Sequence, residues 1–191
     1  MKKTALLVLF LIVSCFTVKA QDKTALQTAA AKMYANTISG NYEGLINDTY
    51  PKIFEVVRKD KMLEGLKAML NGDGYTMAIV NTPANFEFGP IKKIGSGSYC
   101  IIKHDLLMKM NFKDPLSAEE SKGMIDNLKK AMQTEEVTFD AKSNSFTMKK
   151  RADVIAVADK LTNNQWKFLN RAGKGLMAKV FDPEVIKQLG L

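Results

Sequence analysis

The chain has 191 residues, of which 46% are hydrophobic and 25% are charged, and it contains two cysteines. These values are typical of a soluble domain, and they exclude a disordered tail, a multi-span membrane protein and a collagen-like repeat. They also exclude a disulfide scaffold, and the length fits a single domain.

Residues 1–20 have the pattern of a secretory signal peptide. Lys2 and Lys3 precede the apolar run Ala5–Phe16, and Ala20 is a small residue at a suitable cleavage position. The run is shorter than the stretch of about 20 apolar residues that a membrane span needs. We therefore predict an exported protein, periplasmic or secreted, that is cleaved after Ala20. The sequence Ile-Val-Ser-Cys that ends at Cys15 resembles a lipobox, so a lipid anchor at Cys15 is an alternative, as is an uncleaved N-terminal anchor.

The charge and the cysteines exclude further classes. The formal net charge is +8, but three of the lysines lie in the predicted signal peptide, which has no acidic residue. The other basic residues form only short clusters, the longest being Lys149-Lys150-Arg151, which are typical of solvated surfaces, and we expect no nucleic-acid partner. Beyond residue 20, Cys100 is the only cysteine. Its apolar neighbours favour a buried hydrophobic role over a catalytic thiol.

The N-terminal third is predicted to contain three helices. Apolar residues recur at helical spacing from Leu26 to Thr37, and a Gly-Asn stop signal follows at Gly40. A second apolar stripe runs from Tyr42 to Val57, and Pro51 should kink or divide that helix because proline removes a helical donor. A third stripe runs from Met62 to Leu70 and ends at a glycine-rich turn.

Strands and two more helices are predicted in the rest of the chain. The predicted strand regions are Tyr75–Phe88, Ile91–Phe112, Val137–Asp140, Phe146–Leu161 and Gln165–Asn170. A capping box at Ser117 begins a helix that runs to Thr134, and Asp182-Pro183 begins a short last helix. This order predicts an α+β fold, with N-terminal helices packed on the concave face of one curved antiparallel sheet and an inserted helix between hairpins. A small ligand would bind between the helices and the sheet.

A family resemblance is carried by Ala30–Ala35 with Ile38–Tyr42, by Asp48–Pro51 and by Asn164–Leu169. The first of these segments is a helix followed by a connection, in which a small residue precedes glycine, asparagine and an aromatic residue. The last is a final strand with the motif Trp-x-Phe. Residues 24–190 resemble the nuclear transport factor 2-like superfamily, which has a cystatin-like α+β fold. The resemblance implies a single domain over residues 21–191. It does not fix an activity, because this scaffold hosts isomerases, dehydratases, secreted binding domains and assembly modules.

His104 is the only histidine, and it lies in the predicted strand that ends at Phe112. Strand alternation places it with Cys100 and Met108 on an apolar face that we expect to meet the helices. There it is either a general base or a buried histidine bonded to a backbone carbonyl. The inner face of the strand that begins at Phe146 carries no carboxylate, and the chain offers no set of zinc ligands. We therefore predict no catalytic residue, no cofactor and no metal.

Methionine is abundant on the faces predicted to point inward. Because methionine adapts to varied apolar partners, this pattern indicates either a loosely specified core or a pliable pocket for a hydrophobic small molecule. The predicted pocket residues are His104, Met108, Tyr34, Met148 and Trp166. Our leading interpretation is an exported, non-enzymatic binding or interaction domain with an apolar pocket between helices and sheet.

Two alternatives stay open. The first is a small lyase or isomerase of the same fold, in which His104 acts with a helix tyrosine. An acid or a tyrosine oxygen within hydrogen-bond reach of His104 would favour it. The second is a structural module that forms a homodimer through the outer face of the sheet. The apolar residues expected on that face are Tyr99, Ile101, Leu107, Ile155 and Val157.

Overall fold

The computed structural model describes residues 22–191, so the predicted signal peptide and Cys15 lie outside the described residues. The helices are α1 (residues 22–39), α2 (Tyr42–Asp48), α3 (Lys59–Leu70), α4 (Ala118–Met132), α5 (Lys174–Val180) and α6 (Pro183–Leu189), and 3-10 helices span Pro51–Glu55 and Lys160–Thr162. The strands are β1 (Asn71–Gly72), β2 (Tyr75–Ile79), β3 (Glu87–Phe88), β4 (Lys92–Ile94), β5 (Gly97–Phe112), β6 (Glu136–Asp140), β7 (Ser145–Ala158) and β8 (Lys167–Asn170). Within residues 22–191, no helix has the length and apolar character needed to cross a membrane.

The described strands form one sheet built on β5 and β7. These two long strands pair from Ser98 opposite Ala158 to Asn111 opposite Ser145. The other edge of β5 pairs with β4, β3 and β2, and β2 pairs with β1. The other edge of β7 pairs with β6 and β8. Every pairing between these strands is antiparallel and the sheet is not closed, so the predicted α+β class is confirmed, with α4 inserted between β5 and β6.

One face of the sheet packs against α1 and α4. Even-numbered residues of β5 point to this face, because successive side chains of a strand alternate. The half nearer the start of β5 lies under α1, in a cluster formed by Leu26, Ala30, Met33, Cys100, Ile102, Val154, Ala156, Ala158, Trp166 and Phe168. The half nearer the end of β5 lies under α4, in a cluster formed by Met77, Met108, Met110, Leu128, Val137, Phe146 and Met148. We call these the α1 cluster and the α4 cluster.

The opposite face is covered by the C-terminal helices where β5 begins. Tyr99, Ile155 and Val157 are buried there with residues of α5, α6 and the first 3-10 helix, and Ile101 packs against them. We call this group the C-terminal cluster. The predicted apolar patch on this face is therefore covered at four of its five residues, all except Leu107, because α5 and α6 pack on it. The sequence analysis did not predict α5, and it placed helices on one face only. Farther along the same face, Arg151 is exposed.

Local signals explain where several elements begin and end. Ser117 Oγ accepts a hydrogen bond from Glu120 N, and the Glu120 carboxylate accepts one from Ser117 N, so the predicted capping box is formed at the start of α4. Pro51 begins a 3-10 helix and divides the second predicted helix, as expected. The strand predicted to run to Leu161 ends earlier, because Asp159 begins a capped 3-10 helix.

Candidate functional site

His104 and Tyr34, two of the predicted pocket residues, are in contact in the structure. His104 is only 3% exposed and faces α1, and its ring centroid lies 5.6 Å from that of Tyr34 and 5.9 Å from that of Phe86. The ring nitrogen Nδ1 lies 3.4 Å from the carbonyl oxygen of Asp105, and no carboxylate of the described residues bonds to the ring. Burial lowers the pKa of His104, so the ring is neutral at neutral pH.

The other three predicted pocket residues lie elsewhere in the core. Met108 and Met148 are paired across β5 and β7 in the α4 cluster, and Trp166 belongs to the α1 cluster. All three are buried in packed surroundings. A shallow groove of about 500 Å³ opens beside Tyr34, between α1 and residues 81–86. The predicted set therefore does not form one pocket.

A second cavity lies between the sheet and the C-terminal helices. It has a volume of about 490 Å³, and it is bounded by the β4–β5 turn, both 3-10 helices and the connection from α5 to α6. We call it the tyrosine cleft. The residues that give it chemical character are Tyr50, Tyr99, Asp159, Leu161, Asp182 and Glu184. It is less open to solvent than the groove beside Tyr34.

Tyr50 and Asp159 form a hydrogen-bonded pair in the wall of the cleft. The Tyr50 hydroxyl donates to Asp159 Oδ2 at 2.7 Å, and Asp159 Oδ1 accepts from the backbone N–H of Thr162 at 3.1 Å. Burial, reinforced by the bond to Asp159, raises the pKa of Tyr50, so the phenol stays protonated. Because the Tyr50 proton is held by Asp159, Tyr50 Oη is free to act only as an acceptor toward the cleft.

Tyr99 is the buried polar residue of the cleft whose side chain has no hydrogen-bond partner among residues 22–191. Its side chain is 8% exposed, and its hydroxyl forms no hydrogen bond with any described residue. Because no fully buried side-chain oxygen or nitrogen of residues 22–191 lacks a partner, this hydroxyl reaches solvent through the cleft. A Cβ on Gly97 would lie 2.8 Å from the Tyr99 hydroxyl oxygen, so glycine is needed for the ring to lie against the turn. Burial, and then the charges of Asp159 and Asp182, raise the pKa of Tyr99.

The rim of the cleft combines an exposed apolar side chain with charged groups. Leu161 is 57% exposed, and in the described part of the chain only Met69 is another large hydrophobic residue with high exposure. Lys52 Nζ lies 3.6 Å from Asp182 Oδ1 across the same rim. An exposed leucine beside hydrogen-bonding groups is the combination expected for a small amphipathic ligand.

Among residues 22–191, neither cavity is lined by a cysteine or by a set of metal ligands. Cys100 is buried, its Sγ donates to the carbonyl of Gly89 at 3.3 Å, and burial raises the pKa of the thiol to about 11. Among residues 22–191, no group of three or more histidine, cysteine, aspartate or glutamate side chains is placed to hold a metal ion. The arrangement in the tyrosine cleft is therefore suited to binding through hydrogen bonds and charge.

Comparison with known proteins adds no family. No protein-family model matches the chain, and a search of curated proteins finds none that is similar. The resemblance to the nuclear transport factor 2-like superfamily therefore stays a prediction.

The sequence analysis missed the tyrosine cleft because its walls come from distant segments. Tyr50 and Asp159 are 109 positions apart, and the last wall is formed by helices of the C-terminus. One local signal was present: Asp159 and Thr162 have the three-residue spacing of a capping box, which marks the end of a strand. That signal would have separated Asp159 from the strand and exposed it as a candidate polar residue.

Proposed function

We propose that this chain is an exported, non-enzymatic binding protein that holds a small molecule in the tyrosine cleft. The observation that carries this proposal is Tyr99, whose residue is 8% exposed and whose hydroxyl lines the cleft without a hydrogen-bond partner among residues 22–191. Because this hydroxyl reaches solvent through the cleft, a ligand there can bond to it without breaking a hydrogen bond within the protein. Export rests on the pattern of residues 1–20.

The cleft is a better ligand site than the pocket predicted around His104. The side chains around His104 are packed against each other, and the nearby Tyr34 hydroxyl already donates to the carbonyl of Thr82 at 3.0 Å. A ligand there would have to displace packed residues or compete with a formed hydrogen bond. In the tyrosine cleft, there is space beside a hydroxyl that has no partner among the described residues.

The chemistry of the two cavities also favours binding over catalysis. A lyase or isomerase that uses His104 needs an acid or a tyrosine oxygen bonded to the ring, whereas the ring nitrogen lies against a backbone carbonyl. In the tyrosine cleft, the pKa of both tyrosines is raised, so neither phenol serves as a base near neutral pH. Hydrogen bonds and apolar contact are the interactions that these groups offer.

The test is native mass spectrometry of the protein purified from its own compartment. We expect a mass excess over the bare chain that disappears on denaturation. Tyr99→Phe should lose this excess, because the variant keeps the ring and removes the free hydroxyl. Tyr34→Phe is the matched control, since it removes an equally buried hydroxyl beside the predicted pocket. An excess that is lost with Tyr34→Phe and kept with Tyr99→Phe would move the site to the groove, and no excess after incubation with a concentrated extract of that compartment would overturn the proposal.

A further inference from the structure

The tyrosine cleft is lined by hydrogen-bond acceptors as well as by the donors of Lys52, Ser96 and Lys160. Tyr50 Oη offers only lone pairs, because its proton goes to Asp159. The carboxylates of Asp182 and Glu184 accept hydrogen bonds as well, and the Tyr99 hydroxyl has a free proton besides its two lone pairs. Donor groups of a ligand can therefore bond to Tyr50 Oη, to these carboxylates and to Tyr99 Oη.

The charges around the cleft favour a cation. Three carboxylates line it, against the two amines of Lys52 and Lys160, and Lys52 and Asp182 pair with each other, so the lining has an excess of one negative charge. The whole chain has a formal net charge of +8, so this acidic lining is a local departure from the rest of the molecule. Burial is the largest cause of the raised pKa of Tyr50 and of Tyr99, and the nearby carboxylates add to it because they disfavour a second negative charge.

The cleft also offers apolar contact at one side of these acceptors. Leu161 is exposed at the rim, and Ile94 and Val185 line the wall. Burying an exposed leucine under a ligand is favourable by about 25 cal/mol for each Å² of apolar surface removed from water. The ligand therefore needs an apolar part next to its donors.

We infer that the tyrosine cleft binds a small amphipathic molecule that carries a protonated amino group. The ammonium group donates to Tyr50 Oη and Tyr99 Oη near the carboxylates, and the apolar part covers Leu161. This inference rests on the proposed function, and it names the ligand class of that site.

The inference is tested with three probes that share one ring and differ in their polar group: 2-phenylethylamine, 2-phenylethanol and phenylacetate. Dissociation constants are measured by NMR titration of the mature protein at constant ionic strength. We expect the amine to bind about tenfold more tightly than the alcohol, since hydrogen bonds to a charged group are stronger than neutral ones. Phenylacetate should bind most weakly, because its charge has the same sign as the carboxylates.

Two glutamates provide a matched pair of charge variants. Glu184 and Glu119 each lie in the first turn of a helix and are exposed, but only Glu184 lines the cleft. Glu184→Gln should weaken the amine about threefold and leave the alcohol unchanged, because a partly exposed charge pair contributes modestly. Glu119→Gln should change neither probe.

The outcomes separate the two proposals. Tighter binding of phenylacetate, or equal binding of the amine and the alcohol, would overturn the assignment of an amine. If Tyr99→Phe still weakens the binding of phenylacetate or of the alcohol, the cleft remains a binding site for another ligand class. If no probe gives shifts that depend on Tyr99, the amine assignment is also wrong, and the binding function then depends on the mass measurement described above.

Discussion

The His104 region and the tyrosine cleft each place a buried tyrosine beside a titratable group, and they differ in what the tyrosine hydroxyl meets. Tyr34 donates to the carbonyl of Thr82 and lies 3.3 Å from that of Asp105, so it joins α1 to the chain that leads into β3. Tyr99 meets no partner among the described residues. The comparison separates a hydroxyl that bonds within the fold from one that has no partner among the described residues, although both side chains are buried to a similar extent.

The largest effect is expected from removing the ring on the structural side of this comparison. Tyr34 is 6% exposed, and its ring packs edge-on against Phe86 and His104. Tyr34→Ala should lower the free energy of unfolding by about 3–4 kcal/mol, as for other large aromatic residues truncated in a core. Urea denaturation measures this loss in the free energy of unfolding. Tyr42→Ala, at a half-buried position, is the control and should cost about 1 kcal/mol. A loss for Tyr34→Ala no larger than for the control would mean that Tyr34 is not part of the packed core.

A smaller effect is expected from the protonation of His104. Burial lowers its pKa in the folded protein, so the unfolded chain binds the proton more readily. Stability should therefore be fully present above the ordinary histidine pKa of about 6.5, and it should fall as the pH is lowered toward the folded pKa. Arg151 opposes protonation, whereas Asp105 and Asp153 favour it, and the burial effect is the largest of these.

The measurement for His104 is the free energy of unfolding by urea between pH 7.5 and 5, compared between the wild type and His104→Gln. The carboxylates with lowered pKa, such as Asp105 and Glu120, titrate below this range and affect both proteins. The variant should show a flatter dependence of stability on pH. Equal slopes for the two proteins would show that His104 titrates alike in the folded and unfolded chains.

The fold was predictable from sequence where the signals were local. The helical spacing from Leu26 to Thr37 gave α1, and the capping box at Ser117 gave α4. The helix α5 was missed because Gly173 and Gly175 weaken the helical pattern at its start, and because only Met177 and Val180 of its seven residues are buried. Missing this helix left the part of that sheet face near the start of β5 uncovered in the prediction.

The candidate site was predictable only in part, for a related reason. Alternation along β5 correctly placed His104 on the face that meets a helix, where it contacts Tyr34. A contact between side chains does not make a cavity, and periodicity carries no information on which inward positions are filled. Tyr50, Asp159 and the C-terminal helices come together only through tertiary packing, which local sequence patterns do not show.

The smallest effect is expected from Tyr99→Phe, and it is the most direct test of the comparison. This change removes a hydroxyl that bonds to nothing in the protein, so the free energy of unfolding should change by less than about 0.5 kcal/mol. Tyr34→Phe leaves the Thr82 carbonyl without its donor, and Tyr50→Phe removes the donor to Asp159, so each should cost about 1 kcal/mol. All three variants keep their rings, so thermal unfolding of the ligand-free protein compares the hydroxyls alone. A loss for Tyr99→Phe as large as for the other two would show that its hydroxyl has a partner within the fold, and the reason for assigning it to a ligand would disappear.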